Sequence, residues 1–251
     1  MSSDTFPKSA GYELSWLTDG PYGANPLWLA EWLCGDVDLK PGMRVLDLGC
    51  GKARSSVFLA KEYGVIVTAV DLWNSAADND AVIREAGVSD SVTAMQLDAR
   101  NLPFADDYFD AIISIDAIQY FGTDSLYLPY ILRFLKPHGT IAFASAGLMN
   151  EFDGAVPEHL VEFWQADAWC IHTSDWWRHH WERTGLVKIE VADSMADGCK
   201  HWIQWAEVNG GGPNYKNTLR EDDGRYLGYI RTIASRIPDR NLLPYDLMTG
   251  K

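Results

Sequence analysis

Three carboxylates and two glycines carry the first chemical signal in this 251-residue chain. Asp47 lies inside an apolar run, Arg44–Leu48, that leads directly into Gly49-Cys50-Gly51. Asp71 closes a second apolar run, and Asp98 closes a third. A glycine pair between strand and helix permits a tight turn and close approach of backbone to a ligand. In an open α/β sheet, ligands bind beyond the carboxyl ends of the strands, so the three carboxylates are expected to face one crevice. There Asp71 can accept two hydrogen bonds from ribose hydroxyls. Asp98 can accept one from an adenine amine, beside the backbone of Ala99. Asp47 can orient the glycine loop and a ligand's amino group. A single Asp at a strand end is an ordinary turn former; three in succession behind one Gly-x-Gly are not explained that way.

A dinucleotide would use the same architecture differently. Its fingerprint needs a third glycine, where helix and strand close on each other, and an acidic residue about 20 positions on. Asp71 meets the second condition, but Arg54 stands where the third glycine would be. That argues against an NAD-dependent oxidoreductase. S-adenosylmethionine (SAM) carries ribose, adenine and an amino acid but no phosphate, so it needs the carboxylates and no pyrophosphate cradle. The residues expected around it are Asp47, Gly49, Cys50, Gly51, Asp71, Leu72, Asp98 and Ala99, with Asp116 beyond them. The product, S-adenosyl-L-homocysteine, would occupy the same place. Displacement at a sulfonium methyl expels a neutral thioether, so no acid is required. Alignment and water exclusion can supply most of the rate, and a base is needed only for an acceptor that arrives protonated.

Such residues act together only if the chain sets them on successive strand ends. Asn25 as N-cap and Pro26 at the first helical position open a helix over residues 25–33. The first strand, Arg44–Leu48, precedes a helix over 55–63 that Gly64 stops. Strands over 65–70 and 92–97 end on Asp71 and Asp98, with a helix over 80–86 between them. A strand over 111–115 ends on Asp116. A helix over 126–135 and the turn at Lys136-Pro137-His138-Gly139 precede a strand over 140–144. Strands alternating with helices at this spacing predict a parallel sheet covered on both faces. Residues 150–173 break the rhythm as a polar and aromatic insert. Ser174 is expected to cap a helix through Arg183, with two final strands over 187–191 and 202–208. After Gly210-Gly211-Gly212-Pro213, residues 215–236 read as an amphipathic helix with a break near Gly224. The expected organisation is therefore a domain over 1–209, with a lid segment over 1–26 and an insert over 147–173, then a helical extension over 210–251.

Composition narrows the setting. The net charge of −14, from 35 acidic and 21 basic residues, repels phosphate backbones and anionic headgroups. No nucleic-acid partner and no stable membrane association are expected. No apolar run reaches about 18 residues, and the N-terminal stretch lacks a basic segment followed by an apolar one; a cytoplasmic setting is expected. Cys34, Cys50, Cys170 and Cys199 form no CxxC pair, so reduced thiols and no metal site are expected. Seven of the eleven tryptophans fall between Trp164 and Trp205, and such rings often line clefts or interfaces.

Beyond these arguments, Val45-Leu46-Asp47-Leu48-Gly49-Cys50-Gly51 resembles the first motif of the class I SAM-dependent methyltransferases. Asp71 resembles their second-strand acidic residue. Asp98-Ala99, Leu102-Pro103-Phe104 and Phe109-Asp110 are similar to their "DA…LPF…FD" segment. Leu135-Lys136-Pro137-His138-Gly139 is similar to their "LKPGG" turn, with His138 in place of a glycine. The resemblance covers about residues 40–208. It implies a three-layer, Rossmann-like α/β fold, with a mostly parallel seven-stranded sheet and an antiparallel last strand. It implies methyl transfer from SAM, and more narrowly the small-molecule and cyclopropane-fatty-acid-synthase-like branch.

Candidates near the methyl group follow from the same comparison. The segment from Ile115 to Phe121 passes beside the methionine portion in that family, so Asp116 or Tyr120 could hold or deprotonate an acceptor; capping and packing are their alternative roles. Tyr22, between Pro21 and Gly23, could close over the cofactor. His172, at the end of the insert, is the better base candidate among the histidines, since His179 and His180 point to different sides of one helix. The tryptophans of the insert could cage a quaternary amine or pack the insert on the sheet. A small-molecule acceptor with an N or O nucleophile is expected. A lipid or cyclopropane-synthase-like reaction is the alternative enzyme, and a non-catalytic SAM-binding protein the alternative class. The chain leaves room for a homodimer.

Overall fold

The computed structural model describes residues 5–18, 23–240 and 242. Its strands are β1 Arg44–Leu48, β2 Ile66–Asp71, β3 Val92–Gln96, β4 Phe109–Ile115, β5 Leu135–Leu148, β6 Val187–Ser194 and β7 Leu227–Arg236. They form one sheet in the order β3-β2-β1-β4-β5-β7-β6. The strands β1 to β5 pair in parallel, and β7 runs antiparallel to both neighbours. This is the Rossmann-like three-layer arrangement expected. Strand order reverses between β1 and β4, so the loops leaving these two strands part and open a crevice.

The helices are α1 Leu14–Leu17, α2 Pro26–Cys34, α3 Arg54–Tyr63, α4 Ala76–Glu85, α5 Gln119–Gly122, α6 Tyr127–Leu132, α7 Ser174–Glu182, α8 Gly198–Val208 and α9 Pro213–Asp222. The Asn25 side chain accepts from the amides of Leu27 and Trp28, satisfying two donors that a helix start leaves open. Gly64 closes α3 in the left-handed conformation, at φ 66°. The cap of α7 is Thr173, one residue before the Ser174 expected, and it accepts from the Trp176 amide.

Strand residues alternate between two apolar layers. Val45, Ala111, Ile113 and Ala142 enter the layer that holds α2, α3 and α8. Leu46, Ile112, Ile141 and Phe143 enter the layer that holds α6 and α7. Trp177 and Trp181 pack edge-on against Phe143 at 4.8 and 5.4 Å. These two tryptophans of the cluster are core.

Two expected elements are corrected. Residues 202–208 are not a strand but most of α8. Aromatic content suggested β-structure, yet Trp202, Trp205 and Ala206 are buried while Gln204 and Glu207 are exposed, which is helical spacing. The second correction concerns residues 215–236. They are a helix only to Asp222; Asp223 and Gly224 then turn left-handed, at φ 47° and 79°, and Leu227 begins β7. Eight consecutive buried positions over 227–234 suit a strand covered on both faces, and their apolar spacing imitates a helix. Of the helical extension expected over 210–251, the described residues hold a helix, α9, followed by a strand, β7, that sits inside the sheet. The triglycine is a tight corner: a Cβ on Gly211 would lie 3.1 Å from the Ala206 carbonyl oxygen.

Candidate functional site

The loop after β1 is pinned from two sides. The amides of Gly49 and Cys50 both donate to the Val70 carbonyl, at 2.8 and 2.9 Å. Gly49 has φ 77°, and a Cβ placed on it would meet the Ala117 Cβ at 2.3 Å. The first loop therefore presses against the loop that follows β4. Asp47 is fully buried beneath it and accepts from the hydroxyls of Ser55 and Ser56, both at 2.6 Å. Burial, opposed by these two hydrogen bonds, raises its carboxyl to about 6. Asp47 thus binds β1 to the first turn of α3 and orients the loop from behind, without lining the crevice.

Asp71 stands at the rim. Its Oδ2 accepts from the Gly51 amide at 2.9 Å. Its Oδ1 accepts from the amides of Trp73 and Asn74 and from the Asn74 side chain. Asp98 is more open, and its Oδ1 accepts from the Arg100 amide at 2.8 Å.

Beyond these residues the crevice has three adjoining chambers. The first, of about 450 Å³, is lined by Asp71, Leu72, Asp98, Ala99 and Phe121. The second, of about 280 Å³, is lined by Gly49, Cys50, Gly51, Lys52, Arg54 and Asp116. The third, of about 510 Å³, opens past Asp116 toward the insert, α8 and α9. Tyr120 lines all three. The chemistry of the first two fits SAM. Apolar Leu72, Ala99 and Phe121 suit the faces of an adenine, Asp71 and Asp98 are acceptors for hydroxyls and an amine, and Lys52 and Arg54 offer positive charge to an amino-acid carboxylate. Arg54 also lies over the Trp16 ring, 4.5 Å from its centre. The bulk that spoils a dinucleotide fingerprint here forms a wall of the middle chamber.

Asp116 joins the middle and outer chambers. Its backbone is left-handed, at φ 52°, an uncommon conformation for a residue with a side chain. Its Oδ1 accepts from the Ala146 amide at 3.1 Å and from Gln119 Nε2 at 3.3 Å. Its Oδ2 accepts from the Ala24 amide at 3.2 Å. One carboxylate thereby ties β5, α5 and the segment before α2 together. The Tyr120 hydroxyl is pushed up to about 12, by burial first and then by the nearby Asp116 carboxylate. At neutral pH the hydroxyl is therefore protonated and available as a hydrogen-bond donor.

The other candidates fall elsewhere. His172 lines none of the three chambers; its ring stacks on Trp176 at 3.9 Å and lies 3.5 Å from Glu151. Tyr22 lies outside the described residues. His180 is buried and uses its ring nitrogens on the Gly122 carbonyl and Arg183; burial and the guanidinium lower its pKa. Tyr12 donates to Glu62 at 3.0 Å, on the outside of α3.

The sequence reading missed the far wall of the outer chamber. Phe163 comes from the insert, Trp202 from α8, and Tyr215 and Thr218 from α9. Trp202 donates through Nε1 to the Tyr215 hydroxyl at 2.6 Å, and Phe163 stacks on Tyr215 at 5.8 Å. Reading α8 as a helix, from its Trp202, Trp205, Ala206 spacing, would have brought these residues together.

Residues 39–205 match a family model described as a methyltransferase domain. The glycine/sarcosine/dimethylglycine N-methyltransferase of Actinopolyspora halophila is 32% identical over 162 residues, 64% of this chain and 28% of that protein. The 2-methyl-6-phytyl-1,4-hydroquinone methyltransferase of Synechocystis is 29% identical over 185 residues, 70% of this chain and 56% of that protein. The chain thus spans well under two thirds of these curated relatives. The solved geranyl diphosphate C-methyltransferase of Streptomyces coelicolor shares the fold, with a TM-score of 0.67 at 19% identity over 83% of this chain and 76% of that one. Motif, sheet order and family model agree: the chain belongs to the class I SAM-dependent methyltransferases.

Proposed function

We propose that this chain transfers the methyl group of SAM to a small molecule held in the outer chamber. The observation that carries the proposal is the junction at Asp116 and Tyr120, where the chambers that suit the cofactor open into a third lined by different elements. SAM, when bound, supplies an electrophilic methyl carbon on a sulfonium. Lys52 and Arg54 would hold its carboxylate, Asp71 its ribose and Asp98 its adenine amine. Asp116 would orient the nucleophile at the junction, and the Tyr120 hydroxyl would donate a hydrogen bond there. The insert, α8 and α9 would exclude water and hold the acceptor in line, which is where most of the acceleration arises.

The acceptors in the names of the relatives include amines and a hydroquinone, which supports a small-molecule acceptor without choosing one. A lipid acceptor is disfavoured by the net charge of −14, as is nucleic acid. Among the described residues no helix is long and apolar enough to cross a membrane, in keeping with the cytoplasmic setting that belongs to this proposal. Titration calorimetry with SAM, S-adenosylhomocysteine and NAD tests the cofactor, and mass spectrometry of acceptor mixtures incubated with labelled SAM tests the transfer. Binding of SAM with a labelled product supports the proposal. Binding of NAD alone overturns it, and SAM binding without any labelled product favours a SAM-binding protein that is not an enzyme.

A further inference from the structure

The outer chamber has a one-sided chemistry. Asp116, Glu162 and Asp167 lie on its wall, and its described lining includes no Lys, Arg or His. The contacts of Asp116 are neutral donors, and no ion pair is recorded for Glu162 or Asp167 among the described residues. Gln119 adds a fourth acceptor. It is 3% exposed, its Nε2 is committed to Asp116, and its Oε1 is buried without a hydrogen-bond partner while the residue lines the chamber. Because a carboxylate can only accept, Asp116 fixes which way the amide faces. A buried acceptor left unmade is costly, so this oxygen calls for an N–H or O–H, which the neighbouring Tyr120 hydroxyl or an entering ligand can supply. The lining is also aromatic: Phe163 stacks on Tyr215 and meets Trp202 edge-on, and Trp202 donates to the Tyr215 hydroxyl.

We infer that the methyl acceptor is a cationic primary or secondary amine carried on an apolar or aromatic body. Its ammonium N–H groups meet the Gln119 oxygen and the carboxylates, and its body lies on the aromatic rings, whose faces also attract positive charge. A cavity of about 510 Å³ falls in the range that takes drug-sized ligands. An amino acid such as glycine, or an acceptor with a phosphate, would bring an anion to a wall whose described lining holds no cation. The inference rests on the outer chamber being the acceptor site. In the reaction the ammonium first gives one proton to water. The nitrogen lone pair then forms the N–C bond, and the C–S bond of SAM breaks with its electron pair left on sulfur. One proton is released per methyl transferred.

The test is calorimetry of the protein saturated with S-adenosylhomocysteine. It is titrated with a panel of arylalkyl amines, including phenethylamine and tryptamine, and with the matched alcohols and carboxylic acids. The expected result is that an amine binds at least tenfold more tightly than its alcohol and the acid does not bind. Glu162→Gln should weaken the amine about two- to fivefold, as removal of one exposed charge partner does, with homocysteine-product affinity unchanged. Amine affinity should also fall with added salt. Acid binding as tight as amine binding, or no binding by any amine of the panel, overturns the inference while leaving the cofactor reading intact. Failure to bind S-adenosylhomocysteine at all would instead sink the proposed function.

Discussion

Replacing Gly49 by alanine isolates the contact on which the crevice depends. The residue sits at φ 77°, and its added Cβ would lie 2.3 Å from the Ala117 Cβ. Carbon atoms in contact prefer about 3.5–4.0 Å, so one of the two loops must yield by more than an ångström. Gly51 provides the comparison: it too is left-handed, at φ 54°, but nothing lies within 4 Å of its Cβ position. The left-handed conformation alone costs a side-chain residue about 1–2 kcal/mol, and forced overpacking adds about 1–3 kcal/mol. Gly49→Ala should therefore lose about 2–5 kcal/mol and Gly51→Ala about 1–2 kcal/mol. Urea unfolding of the ligand-free protein measures both. Because Ala117 follows Asp116, the first variant should also disturb the Asp116 junction, visible as altered acceptor turnover at saturating SAM. Equal losses from the two substitutions would refute the close approach and the coupling between the two loops.

Asp71→Ala should weaken SAM binding by about 1.5–3 kcal/mol, the worth of hydrogen bonds to a charged group; unchanged affinity in a folded variant would remove the ribose assignment. Trp177→Ala should cost about 3–5 kcal/mol of stability through the fully buried ring beside Phe143, while S-adenosylhomocysteine affinity in the surviving folded protein stays as it was. Asp47 gives a pH signature. Its folded carboxyl lies near 6 against an ordinary 3.8, so between these values the folded state holds a proton that the unfolded chain releases. Its ionisation removes stability as pH rises from about 4 to 6, by on the order of 3 kcal/mol at most. Asp47→Asn should abolish that slope, and a wild-type stability profile identical to the variant's across this window would contradict the burial argument.

The half of the molecule proposed to hold the cofactor was legible because its signals are local. A strand, a Gly-x-Gly turn and an acidic strand end each occupy a few adjacent residues, and their alternation with helices predicts a parallel sheet, whereas the reversal of strand order at β1 and β4 is seen only in the structure. Asp71, Leu72, Asp98 and Ala99 come together in one chamber as that reasoning expects. Asp47 was legible in position but not in depth; only the hydroxyls of Ser55 and Ser56, on the next helix, reveal that it faces inward. The outer chamber was hardly legible at all. Its wall is assembled from the insert and, past α7 and β6, from α8 and α9, which follow each other closely, and β7 lies beyond all of them. The helical spacing of Trp202, Trp205 and Ala206 was open to reading, but the meeting of Trp202 with Tyr215 also needs α8 to pack on α9. His172 looked suitable because it ends the insert, but ring stacking on Trp176 takes it toward α7.

The place of β7 in the sheet sets a timetable for synthesis. The open edge of β5 is complete at Leu148, but its partner strand does not begin until Leu227, about 80 residues later. At roughly 5–20 residues per second, a nascent chain carries that unpaired edge for about 4–16 s, and β6 emerges in the interval with its eventual partner still missing. Unpaired strand edges are templates for aggregation, so the growing chain passes through a vulnerable window that the finished protein does not show. The aromatic wall of the outer chamber, standing on α8 and α9 just ahead of β7, cannot settle before the sheet is closed. A fragment ending within the 227–236 strand should therefore fail as a folded protein altogether, and would be better recognised by chaperones than by SAM.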